Sequence, residues 1–267
     1  MKELVLRVGF LQFTPTFGDP TGSMRTIRDA IQDKHQFDLL VLPELAGSGY
    51  NFSSMEEAYA CSEIPGESDY IEFIRELAAE KNAAIVTGFN ERDGNRLFNT
   101  AFLIDPGGIV GKYRKSHLFM NEKDYFQPGD TGFQVFEWKG ARIGILICFD
   151  YVFPETWRVL GLKKADVVAH PSNLVMQYAQ KVVPAQGISN RFYIVTANRT
   201  GREKDLEFTG RSFISDPEGD ILARAGKKGT EIQISSLHID RSRNKFITSR
   251  NHVFRDRRPE QYKLMDC

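Results

Sequence analysis

A cysteine and a glutamate each stand where a short apolar run of the sequence ends. Cys148 closes the run Arg142 to Cys148, and Glu44 follows the run Leu39 to Leu42. A thiol at the carboxyl end of a strand can leave the core as a nucleophile, beside backbone N–H groups that bind an oxyanion. A partly buried carboxylate has a raised pKa and can accept and return a proton. Each residue alone also fits a plainer role, the cysteine as a small buried hydrophobe and the glutamate as a helix cap.

A basic cluster near the middle of the chain supplies a candidate cation. Lys115 follows a predicted hairpin strand that starts at Ile109, and Lys112 and Arg114 precede it. Strand alternation turns one of these basic side chains toward the interior, whereas Lys112 and Arg114 fit a solvated face. A buried ammonium needs an acidic partner, and Glu122, seven positions beyond Lys115, is a candidate.

Glu44, Lys115, Glu122 and Cys148 together form a coherent set for covalent catalysis. The thiol attacks, Glu44 moves protons, the ammonium holds negative charge, and Glu122 positions the others. The combination is stronger evidence than any of its parts.

The elements that must position these residues alternate between strands and helices, which predicts an α/β fold with a mixed sheet. Apolar runs predict strands at Leu4 to Phe13, Leu39 to Leu42, Ala84 to Phe89, Thr100 to Ile104, Arg142 to Cys148, Val167 to His170 and Tyr193 to Ala197. Amphipathic stretches predict helices near Ser23 to Asp33, Ser68 to Lys81, Pro154 to Leu162 and Met176 to Arg191. Turn residues at 105–108 and 216–219 predict hairpins. Two mixed sheets with outer helices reconcile these patterns, although a single sheet stays open.

Composition excludes several classes of protein. The 267 residues carry 35 Lys and Arg against 35 Asp and Glu, so no positive field favours nucleic acid as a partner. We expect one domain over 1–267 that is cytoplasmic and does not contact a membrane, because neither a signal peptide nor a spanning segment is visible. The three cysteines and five histidines lack metal-ligand spacing, so no metal site is expected. The stretch 241–267 predicts a tail, either solvated or contacting a partner subunit.

Three separated motifs resemble the nitrilase superfamily of carbon–nitrogen hydrolases. They are Leu42-Pro43-Glu44, Tyr113 to Leu118, and Cys148-Phe149-Asp150 followed by Phe153-Pro154-Glu155. The resemblance runs from the first strand to at least Asn198. One stretch departs from the family pattern, because 186–190 lacks the arginine and glutamate that relatives commonly carry there.

The resemblance implies a four-layer α-β-β-α sandwich, no cofactor, and a homodimer. It implies that Cys148 is the nucleophile, Glu44 the general base and acid, Lys115 the oxyanion contact and Glu122 a supporting acid. Tyr50, Tyr113 and Asn173 are expected to border the substrate, and the backbone N–H of Phe149 to bind the oxyanion.

Substrate choice follows from the residues after the nucleophile. Relatives that hydrolyse nitriles usually place Trp and Glu there, whereas Phe149-Asp150 resembles the amidase and carbamoylase branches. We therefore expect a small carboxamide, cleaved to carboxylic acid and ammonia through a thioester. An N-carbamoyl compound is the alternative, although no basic residue to hold its carboxylate is identified. A nitrile, a redox-sensing thiol and a catalytically silent binding module are less favoured.

Overall fold

Apolar residues occupy both faces of the central strands, so each sheet needs a layer packed against each of its two faces. The structure is a computed structural model that describes residues 3–32 and 35–262, and within them two six-stranded sheets face each other. The strands are β1 (Val5–Gln12), β2 (Leu39–Val41), β3 (Ala84–Asp93), β4 (Arg96–Asp105), β5 (Gly108–Arg114), β6 (Val135–Trp138), β7 (Ala141–Ile145), β8 (Val167–Ser172), β9 (Tyr193–Asn198), β10 (Arg202–Glu203), β11 (Leu206–Glu207), β12 (Phe213–Ser215), β13 (Ile221–Arg224) and β14 (Glu231–His238).

The helices lie mainly between the strands that run parallel. They are α1 (Pro20–Ala30), α2 (Met55–Ala60), α3 (Asp69–Lys81), α4 (Glu122–Tyr125), α5 (Pro154–Leu162), α6 (Ala179–Asn190) and α7 (Ile239–Arg243), with 3₁₀ turns at Pro65–Glu67, Cys148–Val152 and Pro259–Gln261. The predicted hairpins are confirmed, because the turns at 105–108 and 216–219 join antiparallel neighbours.

The two large sheets share one pattern of strand directions. The first has the order β14-β1-β2-β3-β4-β5 and the second β13-β12-β9-β8-β7-β6. In the first, β1, β2 and β3 run parallel and the outer pairs antiparallel. In the second, β7, β8 and β9 run parallel, again with antiparallel neighbours. Each sheet therefore gathers the carboxyl ends of parallel strands at one edge, where side chains can converge.

The core is divided between the sheets and their outer helices. Val8 and Val41 point into the space between the sheets, in one cluster with Ile145, whereas Leu40 points outward. Ile27 of α1 and Ile74 and Leu77 of α3 cover that outer face of the first sheet. Trp157 and Leu160 of α5 and Val183 of α6 pack against the second sheet. The four-layer α-β-β-α sandwich is confirmed.

The C-terminal stretch lies against the outer helices of the second sheet. The Lys245 ammonium donates to the carbonyls of Asn190 and Arg191, where α6 ends. A Cβ on Gly161 of α5 would come within 3.0 Å of the Phe254 ring. Residues 263–267, including Cys267, lie outside the described residues. No described helix combines the length and apolar composition needed to cross a bilayer.

Candidate active site

Two sharp turns direct the predicted nucleophile and base out of their strands. Cys148 follows β7 with a φ of 42°, and Leu45, next to Glu44, has a φ of 49°. Non-glycine residues rarely adopt this left-handed conformation, which costs about 1–3 kcal/mol and is concentrated at functional sites. Gly88 of β3 makes the second turn possible, since a Cβ there would lie 2.2 Å from the backbone nitrogen of Leu45.

A buried ammonium joins two carboxylates at this edge. Lys115 Nζ donates to Glu44 Oε1 at 2.6 Å and to Glu122 Oε1 at 2.7 Å, and all three side chains are almost fully buried. Burial by itself lowers the pKa of Lys115, but the charges of Glu122 and Glu44 reverse this and hold its pKa above the usual range. Lys115 therefore stays cationic, so it can stabilise an anion formed beside it.

Glu44 keeps one oxygen free of protein partners. Asn99 Nδ2 donates to the same Oε1 that receives Lys115, at 2.7 Å. Among the described residues, Glu44 Oε2 is buried and has no hydrogen-bond partner. An unpaired buried carboxylate oxygen is costly to the fold, so its place beside a thiol points to a role in chemistry.

Glu122 is held by neutral donors as well as by the lysine. Tyr50 donates its hydroxyl to Glu122 Oε1 at 2.7 Å, and the N–H of Phe119 donates to Oε2 at 3.2 Å. Burial raises the pKa of Glu122 to about 7, against the lowering effect of the Lys115 charge. Glu122 therefore retains a proton above the usual range for a glutamate, because burial penalises its charged form.

Cys148 sits inside the charge field of this cluster. Its side chain is buried, and burial together with the Glu44 charge raises the pKa of the thiol well above its usual range, while Lys115 and the N–H of Asn173 act in the opposite direction. The resting sulfur is therefore a neutral thiol that needs a base. It lines a small cavity with Phe119, Phe149, Tyr151, Asn173, Leu174, Val175 and Met176.

A buried histidine supports the strained turn from behind. His170 Nε2 lies 2.9 Å from the carbonyl oxygen of Cys148, and Nδ1 lies 3.0 Å from the hydroxyl of Thr196. A carbonyl only accepts, so Nε2 carries the proton and Nδ1 accepts from Thr196. Burial lowers the pKa of His170 to about 4, which keeps the ring neutral.

Asp150 ties the loop of the lysine to the loop of the cysteine. Its Oδ2 accepts from the N–H of Ile147 at 2.9 Å and from the Tyr113 hydroxyl at 2.8 Å. Its Oδ1 accepts from the backbone N–H of His117 at 3.3 Å and lies 2.7 Å from the His117 ring Nδ1. One carboxylate therefore fixes the segments before Cys148 and after Lys115 relative to each other.

A second buried ion pair holds the loop that carries Tyr50. Arg199 donates to Glu203 Oε1 at 2.8 Å, and Glu203 Oε2 accepts from the N–H groups of Tyr50 and Asn51 at 2.9 and 2.6 Å. No local sequence pattern predicts this pair, because Arg199 and Glu203 are charged residues just beyond a predicted strand end.

Only some of the residues expected to border the substrate line the cavity beside Cys148. Phe149 and Asn173 line the cavity beside the thiol, and Asn173 also donates to the Glu44 carbonyl at 3.0 Å. Tyr50 donates its hydroxyl to Glu122 and is not among the residues that line this cavity. Tyr113 points into the core, and its hydroxyl is taken up by Asp150 rather than by the cavity. Tyr113 therefore supports the loops through its hydrogen bond to Asp150, and the expectation that it borders the substrate is not met in this cavity.

Known proteins with similar sequences and structures share one family. The family model described as carbon-nitrogen hydrolase matches residues 7–245. A protein named nitrilase from Pyrococcus abyssi is 40% identical over 260 residues, covering 97% of this chain and 99% of that protein. An N-carbamoylputrescine amidase from Solanum lycopersicum is 31% identical over 294 aligned residues, covering 99% of this chain and 96% of that protein.

The structural comparison points the same way. A mutant of the amidase from Nesterenkonia sp. AN1, with the acetamide moiety of fluoroacetamide added covalently at its active-site cysteine, has a TM-score of 0.80 and 26% identity. The similarity covers 96% of this chain and 95% of that chain. With its family match and its two mixed sheets, the chain belongs to the carbon–nitrogen hydrolases of the nitrilase superfamily.

Proposed function

We propose that the protein hydrolyses small carboxamides to carboxylic acid and ammonia through a thioester on Cys148. The observation that carries the proposal is the unpaired Oε2 of Glu44, in a carboxylate whose other oxygen is held by Lys115. A base fixed in this way has one free position, and it acts on a thiol that is neutral at rest.

The first half-reaction forms the thioester. Glu44 takes the thiol proton as the sulfur attacks the amide carbon, and the carbonyl oxygen becomes an oxyanion. Lys115 and the N–H of Phe149 stabilise this oxyanion, because the first N–H groups of a helical turn have no acceptor within it. Collapse breaks the carbon–nitrogen bond while Glu44 gives its proton to the nitrogen, so ammonia leaves.

The second half-reaction releases the acid. A water molecule enters where ammonia left and gives a proton to Glu44, and its oxygen attacks the thioester carbon. The carbon–sulfur bond then breaks, and the proton on Glu44 returns to the departing sulfur. Glu122 keeps Lys115 in place throughout and does not itself touch the substrate.

The composition of the cavity supports a small amide. The lining is formed largely by aromatic and aliphatic side chains, with the amide of Asn173 as a polar group near the thiol. The second candidate is an N-carbamoyl compound, which the 31% identity to an N-carbamoylputrescine amidase favours. Both reactions release ammonia and use the same residues, and they differ in the group carried by the sulfur. We further propose a cytoplasmic homodimer, as expected from the family resemblance.

The decisive experiment traps the intermediate by mass. Wild-type protein is mixed with panels of carboxamides, N-carbamoyl amines and nitriles, quenched with acid during turnover and analysed by intact mass spectrometry. We expect an acyl adduct from a carboxamide, whose mass identifies the acyl group, and no adduct from Glu44→Gln, which lacks the proton carrier of both half-reactions.

Two cysteine variants provide the matched controls. Cys61→Ala removes the other described cysteine, which is half-buried and distant in sequence, and should leave adduct and turnover unchanged. Cys148→Ala should abolish both. An adduct that survives in Cys148→Ala, or wild-type protein that releases no ammonia from any compound, would overturn the proposed function.

A further inference from the structure

A large cleft opens beside the catalytic cavity, and its walls are cationic. It has a volume of about 680 Å³, within the range of small-molecule sites, and is lined by Tyr178, Lys181, Arg211, Arg224 and Lys227, among others. The chain as a whole has a net charge of +0, so the positive charge of this cleft is a local feature that the overall composition does not reveal.

Most of these charges are not neutralised by the protein. Lys227 lies 3.3 Å from Glu207, an exposed pair. Within residues 3–32 and 35–262, the side chains of Lys181, Arg211 and Arg224 form no ion pair with an acid. Exposed cations gathered around a concave surface attract an anion more strongly than the same charges spread over a convex one.

The helix at the edge of the cleft adds to this preference. Lys181 lies in the first turn of α6, where no acidic residue is present, and the N-cap residue Tyr178 forms no side-chain cap. The amino end of a helix already carries partial positive charge, so a lysine there is unfavourable without a nearby anion. A bound anion would relieve that repulsion.

One short segment forms a wall of both the cavity and the cleft. Asn173 and Met176 line the cavity beside Cys148, and Tyr178 lines the cleft two residues further on. The Tyr178 hydroxyl lies 2.6 Å from the Met176 sulfur, and the Tyr178 ring lies 6.2 Å from that of Tyr151, another cavity residue. The cavity and the cleft are therefore neighbours, separated by the contact between Met176 and Tyr178.

We propose that the cationic cleft binds the anionic end of an elongated amide substrate, so that the enzyme prefers amides with a distal carboxylate. The proposal rests on the proposed function and specifies its substrate class. The carboxylate takes no part in the reaction, and it contributes to binding by pairing with Lys181, Arg211 and Arg224. A substrate with a terminal amine should be rejected, because it would bring a like charge into the cleft.

The test compares substrates that differ only at the far end. Straight-chain monoamides ending in a carboxylate, a methyl group or an amine are assayed at several lengths with wild type, Lys181→Gln and Arg224→Gln. Each variant should lower kcat/KM for the carboxylate series about fivefold, the effect of one partly exposed ion pair, and leave the methyl series unchanged. Added salt should reduce the preference.

A control variant and a binding measurement separate the two proposals. Arg25→Gln removes an equally exposed charge from α1, on the outer layer of the first sheet, and should change neither series. Calorimetric binding of a carboxylate-ended amide to Cys148→Ala protein, with and without Lys181→Gln, tests the cleft without turnover. Equal kcat/KM for carboxylate and methyl series, or binding unaffected by Lys181→Gln, would refute the cleft proposal even if amides are hydrolysed. Absence of all hydrolysis together with charge-dependent binding would refute the amidase proposal alone.

Discussion

Replacing Glu122 by glutamine should change how stability depends on pH. Burial raises the pKa of Glu122 from an ordinary value of 4.5 to about 7, so the folded protein holds a proton that the unfolded chain releases. Between these two pH values the folded state binds more protons than the unfolded state. The stability contributed by protonated Glu122 is therefore fully present below about pH 4.5 and is lost as the pH rises toward 7.

The size of the effect follows from the same two values. At about 1.4 kcal/mol per pH unit, the rise from 4.5 to about 7 corresponds to a loss of about 3 kcal/mol. The glutamine variant removes this titrating group and leaves Glu44 as the carboxylate that contacts the Lys115 ammonium. Glutamine keeps an oxygen for Lys115 and Tyr50, so the shape of the site is retained.

Urea unfolding of wild type and Glu122→Gln at intervals from pH 4 to pH 8 measures this directly. The difference in unfolding free energy, wild type minus variant, should fall by about 3 kcal/mol across the range. A difference that is constant with pH would refute the argument that buried Glu122 has a raised pKa. Using the difference cancels other titrating groups that both proteins contain.

Three further substitutions test the supports of the site. His170→Gln keeps a donor for the Cys148 carbonyl but does not titrate. Because the pKa of His170 is lowered from 6.5 to about 4, the unfolded chain binds a proton in this range that the folded protein does not. Urea unfolding should therefore show that wild type loses about 3 kcal/mol more stability than the variant between pH 7 and pH 4. Tyr50→Phe removes a hydrogen bond to Glu122, and calorimetry should find the protein about 2 kcal/mol less stable, with kcat lowered and the acyl adduct still formed. Asp150→Asn replaces an acceptor of four hydrogen bonds, so we expect the free energy of unfolding to fall by about 3 kcal/mol and kcat to fall about tenfold or more. An unchanged free energy of unfolding would contradict this role.

The central strands and the four long helices were predictable because each shows its burial pattern within a short stretch of sequence. The strands β6 and β14 and the short helices α2, α4 and α7 were not predicted. A three-residue strand such as β2 is recognisable since Leu39 to Leu42 is apolar on both faces, which suits a strand between two layers. The pairing of strands within each sheet was harder to predict from the sequence. Nothing local indicates that β14 returns to β1, because that contact joins residues more than two hundred positions apart.

The residues of the site likewise divide into those that have a local sequence signal and those that do not. Glu44 and Cys148 were identifiable because each ends an apolar run, and Lys115 was identifiable through its motif. The expectation that Arg114 lies on a solvated face was wrong, because Arg114 is buried and paired with Glu91. Asn99 lies in the middle of a strand, and no local signal shows that it meets Glu44. The cationic cleft draws Lys181, Arg211 and Arg224 from three separate segments, so only the folded chain reveals it.

Glu44 and Lys115 come from one sheet, and Cys148 and Asn173 from the other. Under the proposed mechanism, neither sheet supplies all the reacting groups, and turnover requires the two sheets to be packed in their native register. During refolding, regain of activity reports this packing, and secondary structure can return before it. A proteolytic fragment with one intact sheet would be inert even if it kept its native backbone.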